Sequence, residues 1–422
     1  MISSLFIKTD KLYTILLNWY YPIMLTCYLF TYFKKGLHTG WIAASMMILL
    51  VVCRFAQNGW KLSFTKYKFP IFVYFIWMIG SGIHYIYNDI PLSFFVSATF
   101  GTILPISFVL FSKNKNNNFL KNFLISYSIA GVIGLVLMIV RPLWYVEYCA
   151  SYGYSHIRLS YFIGSITMGC FGAVALIISL KMVIDSKGRK YKFLYFIALG
   201  CTFASWQRSA WIVAIITLVI AHYYIYGKWK ALGRKFLGLE FLIALIVLIV
   251  SKDIIIEILS LRNAYRIRPK TGMIESRAWT WIEGIHNSNI VFGSGYGSRG
   301  HKALAIGIPG AIGDGSWMNL LCEIGILGLC LFGCIIIKAL IKSYRHIKEL
   351  YMPMGIILAI CIQSIGSNMF ESQLIMPLFW YSVGLIMDYE MNVHKYKESS
   401  ITKVLVKKSV GSNFLLERKH LF

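Results

Sequence analysis

Apolar runs long enough to cross about 30 Å of hydrocarbon recur from the start of the chain to its last quarter, each bounded by charged or turn residues. A chain patterned in this way is solvated by lipid. Its 422 residues are 58% hydrophobic and only 14% charged, where a water-soluble protein carries about 25% charged residues. Collagen, disorder and a soluble disulfide scaffold are excluded together. The 16% of Phe, Trp and Tyr suits aromatic belts at the headgroups.

Twelve spans fit the pattern: 13–33, 40–56, 69–87, 91–112, 119–140, 161–184, 191–205, 210–226, 236–250, 317–340, 354–369 and 375–387. The fold class is an all-α polytopic membrane protein with about twelve transmembrane helices and one large extracytoplasmic loop. Residues 1–250 hold nine spans, 251–316 the loop, 317–390 three more spans, and 391–422 a basic tail. The first apolar run is too long for a cleaved signal and reads as a span.

Forty-two Lys and Arg against 17 Asp and Glu give a net charge of +25, which in a soluble chain points to nucleic acid. Here location decides. With both termini in the cytoplasm, the short loops that report orientation hold most of the Lys and Arg inside, with Lys34 and Lys35 as the exception, so the charge is a topology signal rather than a nucleic-acid signal. The same bias resolves residues 191–226 into two spans turning near Trp206, because one long helix would place the basic clusters 187–192 and 228–235 on opposite faces. That turn presents Gln207 and Arg208 at the outer surface. Eight of the nine cysteines fall in apolar segments and Cys149 falls in a loop; no CxxC or zinc spacing occurs.

The long loop carries the chemistry. Its ESRAWTWIEGIH stretch puts Arg277 and Trp281 at i and i+4 on one helical face, GSGYGS follows at 293–298, and DGSWMNLLCEIGILG leads into the tenth span. GSGYGS lacks the Lys-Ser/Thr of a phosphate loop and reads as a close-packed turn. Arg262, Arg266, Arg268 and Lys270 suit anionic headgroups. Arg208, between Trp206 and Trp211, and Arg277 suit a lipid diphosphate, because each planar guanidinium donates bidentate hydrogen bonds to phosphate oxygens. Asp314, His301 and His286 are the candidate proton acceptors, with Glu275 and Glu283 flanking Arg277. Asn319 and Glu323, one turn apart, either line the site or satisfy each other.

Three pieces in this order, SWQRSAW, ESRAWTWIEGIHNSNIVFGSGYGS and DGSWMNLLCEIGILG, resemble the O-antigen ligase and polymerase superfamily of bacterial envelope enzymes. They cover roughly a tenth of the chain. The resemblance implies a GT-C-like glycosyltransferase in the bacterial inner membrane that uses a glycan on undecaprenyl diphosphate, with a chain-length regulator protein as a further partner. Arg208 and Arg277 would then grip the diphosphate, Asp314 or His301 would take the proton, and Trp279, Trp281 and Tyr296 would either stack on sugar faces or anchor the loop at the interface; no metal, nucleotide or other cofactor is implied. The ligase branch has His-Asn where this chain has Asp314-Gly315, which favours the polymerase branch. A flippase is the rival membrane class, but it places charges inside several helices and shows internal repeats, which this sequence lacks.

Overall fold

A computed structural model of the chain describes residues 2–33, 39–57, 68–87, 91–113, 118–151, 157–186, 188–215 and 273–389. The remainder of the eighth span, the ninth span, the loop up to residue 272 with Arg262, Arg266, Arg268 and Lys270, and the tail from 390 lie outside the described residues.

All the regular elements among the described residues are helices. In chain order the principal ones are α1 (Ile2–Phe33), α2 (Thr39–Gln57), α3 (Phe69–Gly80), α4 (Leu92–Phe111), α5 (Phe119–Val140), α6 (Leu143–Ser151), α7 (Ser165–Ser186) and α8 (Arg189–Ala204). They are followed by α9 (208–215), α10 (Met273–His286), α11 (His301–Ala305), α12 (Ser316–Arg345), α13 (Ile347–Gln363) and α14 (376–389). Five of them, α2, α4, α5, α7 and α12, are long and apolar enough to cross a membrane. On α5, Ile129, Val132, Val136, Ile139 and Val140 face outward, a stripe that water would penalise and lipid accepts. The protein is an α-helical membrane bundle by these features.

Helix α7 is the central element, buried along most of its length, with α5, α8 and α13 packed around it. Tyr13, Tyr20 and Tyr21 of α1 project into an aromatic core with Phe108, Phe111, Phe119, Phe123 and Phe171. A buried tyrosine needs a partner for its hydroxyl. Tyr20 donates to the carbonyl of Gln373 at 3.0 Å and Tyr21 to that of Leu374 at 2.7 Å, which satisfies the turn that precedes α14.

The departures from the expected spans have local causes. Span 69–87 is divided: α3 passes through a tight turn at Ser81–Ile83 into the short helix His84–Tyr87. In α4, Pro105 removes a donor from the ladder, and the winding changes through Thr99–Ile103. Span 161–184 begins only at Ser165, because Tyr161, Phe162 and Gly164 all have positive φ. Residues 143–151, expected as loop, form α6. Cys149 is accordingly a helix residue, 2% exposed beside Tyr145 and Phe162, rather than a loop thiol. All nine cysteines are free.

At one end of the bundle the buried Lys68 donates to Asp388 of α14 and to the carbonyl of Val109, both at 2.9 Å. Lys342 donates to the carbonyl of Met387 at 3.2 Å. Two cations therefore meet the carbonyl end of α14, where the helix dipole is negative.

Candidate functional site at a broken helix

A continuous α12 would give the carbonyls of Cys322, Glu323 and Ile324 partners four residues later. Gly325, with φ 68° and ψ 179°, interrupts the ladder instead. The freed groups are all received. Ser294 and Gly295 donate their N–H groups to Cys322 and Glu323 at 2.9 Å each, the Trp77 indole donates to Ile324 at 3.0 Å, and Ile326 donates to Ile290 at 2.8 Å. The glycine-rich stretch thus lies along the break as a short extended pairing, which is what backbone at this depth requires. Its fit depends on Gly293, φ 83°, whose missing β-carbon would overlap the Glu323 backbone, and on Gly325, where one would overlap Val291. GSGYGS is a packing seat, as its sequence indicates.

The break points the Glu323 side chain into the loop it has captured. Glu323 is 1% exposed; one oxygen accepts from the Arg299 amide at 3.1 Å, with the amides of Gly297 and Gly300 also directed at the carboxylate. Its other oxygen is buried without a hydrogen-bond partner, as are the Ser298 hydroxyl and the Asn319 side-chain carbonyl. A second carboxylate, Glu371, lies close by on the turn between α13 and α14. It accepts from the His301 amide at 3.3 Å and from the Asn319 side-chain amide. Asn319 therefore serves Glu371, and Glu323 is served by the loop backbone. Two carboxylates from different elements, one of them almost wholly buried and both held by backbone amides of the same loop, mark this cluster as a candidate site.

A second junction joins two segments far apart in sequence. The Trp281 indole donates to the Asp314 carbonyl at 2.7 Å, and its ring lies against Gly315, whose φ of 106° leaves no β-carbon in the way. One turn away, a Glu283 carboxylate oxygen accepts from the Gly310 amide at 3.3 Å. These contacts dock α10 on the loop that enters α12. The start of α12 is tied in turn to 364–370, with the Ser316 hydroxyl donating to Ser367 at 2.9 Å and accepting from the Phe370 amide at 3.1 Å.

The expected site residues fall into place unevenly. Asp314 is half-buried at this junction and His301 is exposed at the start of α11. Tyr296 is 1% exposed, its carbonyl accepting from Tyr85 at 2.7 Å and its amide donating to Ser81 at 3.0 Å. A ring enclosed in the core offers no face to a sugar, so Tyr296 anchors the loop in place of the stacking role. The Trp281 ring is half-buried with its one donor engaged by Asp314. Arg208 is exposed on the first turn of α9, after a break at Trp206 with φ 55°. The turn near Trp206 is present: the Trp211 indole reaches back to the Thr202 carbonyl at 3.1 Å. Arg277 stands in α10 one turn before Trp281, but its side chain lies outside the described residues, and so does its distance from Arg208.

Two residues were not singled out by the sequence. Glu371 had a usable signal, since it is the sole ionisable residue between spans 354–369 and 375–387. Arg299 had none beyond its charge. It is 9% exposed and donates to the carbonyls of Asn287 and Pro309, closing the loop on itself. Burial lowers the pKa of its guanidinium, while Cys322 and Glu323 work the other way. No family model and no curated protein matches the chain.

Proposed function

We propose that the protein is a polysaccharide polymerase of the bacterial inner membrane that joins undecaprenyl-diphosphate-linked oligosaccharide repeats into O-antigen or a similar surface polysaccharide, within a twelve-span, GT-C-like frame. The observation that carries this reading is the bond from Trp281 to Asp314 at 2.7 Å. It supports the resemblance because ESRAWTWIEGIH and DGSWMNLLCEIGILG, two of its three pieces, meet at one place beside a buried carboxylate cluster. In the proposed reaction a hydroxyl at the end of one lipid-linked repeat attacks the anomeric carbon of the growing chain. The new carbon–oxygen bond forms as the bond to undecaprenyl diphosphate breaks, with inversion at that carbon. The hydroxyl proton passes to a carboxylate, Asp314 in the first instance, with Glu371, on the turn between α13 and α14, and His301 as the alternatives. Arg208 and Arg277 receive the charge that develops on the leaving diphosphate, a task for which fixed donors in a partly dry site are suited.

The test is elongation of purified lipid-linked repeats by the full-length protein in liposomes. Chain growth without nucleotide and in the presence of a chelator is the expected result. Transfer to lipid A core alone would make the protein a ligase, and translocation without bond formation would make it a transporter; either result removes the polymerase reading.

A further inference from the structure

Beside the carboxylate cluster, and separate from Asp314, a cleft of about 410 Å³ opens between the outer end of α3 and the loop, lined by His84, Asn287, Asn289, Ser294, Arg299 and Pro309 among others. Its volume lies within the range of small-molecule pockets, about 300–1,000 Å³. Arg299 gives it an unusual character. The side chain is 9% exposed, its guanidinium donates to the neutral carbonyls of Asn287 and Pro309 and lies 3.5 Å from the Ser294 hydroxyl, and its Nε has no partner. Among the described residues no carboxylate approaches it within ion-pair distance. A buried cation whose hydrogen bonds all go to neutral groups, with Glu323 acting on it only from beyond ion-pair distance, is costly, and an anion entering the cleft relieves that cost. The other polar groups on the wall are amides, a hydroxyl and an imidazole, neutral groups of the kind that donate to and accept from sugar hydroxyls.

We propose that this cleft binds an acidic sugar residue of the glycan substrate, its carboxylate toward Arg299 and its hydroxyls toward Asn287, Asn289 and Ser294. The inference rests on the polymerase reading only in calling the ligand part of a substrate. The amide-rich wall favours a sugar acid over a diphosphate, which would seek several cations and an adjoining apolar path for its lipid.

Asn289 supplies a clean test. Its side-chain oxygen accepts from the amides of Val291 at 3.0 Å and Phe292 at 3.1 Å, and an aspartate keeps those acceptors while adding a negative charge at the rim. Calorimetric titration of the detergent-solubilised full chain should show glucuronate binding about tenfold tighter than glucose, and Asn289→Asp should weaken glucuronate by about tenfold with no change in Tm. If Asn289→Asp lowers Tm, His84→Glu brings the same charge to the cleft from the short helix after α3 and should have the same effect. Equal affinity for glucose and glucuronate, or glucuronate binding untouched in the variant that keeps its Tm, overturns the proposal. Inorganic pyrophosphate binding in competition with and more tightly than glucuronate also overturns it, by assigning the cleft to the lipid carrier. A protein that polymerises repeats yet fails these titrations keeps its activity reading and loses only this one.

Discussion

Gly293 and Gly325 lie on opposite sides of one backbone contact with positive φ, 83° and 68°; a β-carbon on Gly293 would overlap the backbone of Glu323 and Ile324, and one on Gly325 the backbone of Val291 and Gly293. Two glycines thus hold the loop against the broken helix. A non-glycine residue at positive φ costs about 1–3 kcal/mol before any overlap is counted. Gly293→Ala and Gly325→Ala should each lower stability by at least about that much, read as a fall in Tm of the purified protein. An alanine variant with an unchanged Tm would mean that the break is not held by this contact.

The ion pair of Lys68 and Asp388, 2.9 Å apart and almost wholly buried, should behave asymmetrically. Removing one partner leaves an uncompensated buried charge, so Asp388→Asn should cost about 3–5 kcal/mol. The double variant Lys68→Met, Asp388→Leu should recover most of that loss. Denaturation of the three variants in one detergent reads the difference; equal losses in the single and double variants would contradict it.

Arg208→Ala and Arg277→Ala should reduce chain growth at least about 100-fold while insertion and Tm are retained, the scale expected when a donor to developing charge is removed. Lysine at either place should also impair, because a point charge does not reproduce the planar fork. Gel ladders of lipid-linked product are the measurement. Normal-length polymer from either alanine variant removes that residue from the mechanism.

Asp314→Asn and Glu371→Gln separate two candidate proton acceptors on different connections, the loop that enters α12 and the turn between α13 and α14. Loss of turnover in Asp314→Asn with Glu371→Gln retaining most of its rate supports Asp314, and the reverse result moves the role to Glu371. General-base removal commonly costs about 100- to 10,000-fold, well above the effect expected from a displaced hydrogen bond. A Tm measured alongside distinguishes a lost base from a loosened loop.

Much of the helical frame was legible in the sequence, because lipid imposes length and hydropathy directly on each span. The fifth expected span, 119–140, coincides with α5, and the turn at Trp206 follows from charge placement alone. The break at Gly325 was not legible. A hydropathy window averages across it, and nothing in CEIGILG says that its carbonyls will be met by residues 294 and 295. The same limit hid the carboxylate cluster: Glu323 and Glu371 belong to different elements, and only the folded turn between α13 and α14 brings them to one loop. For Tyr296 the sequence leaves stacking and anchoring both open, and its burial decides for the anchor.

Lys68 meets a partner 320 residues further along the chain. During synthesis α3 is therefore made long before the group that neutralises its first cation, and an apolar bundle holding an unmatched ammonium is an unfavourable intermediate. Helix α14 acts as a closing piece of assembly: until it docks, Lys68 lacks its carboxylate and Lys342 lacks the Met387 carbonyl, and the hydroxyls of Tyr20 and Tyr21 lack the turn that leads into it. A chain lacking α14 would leave this clasp open, with a few polar groups unmatched inside an apolar bundle.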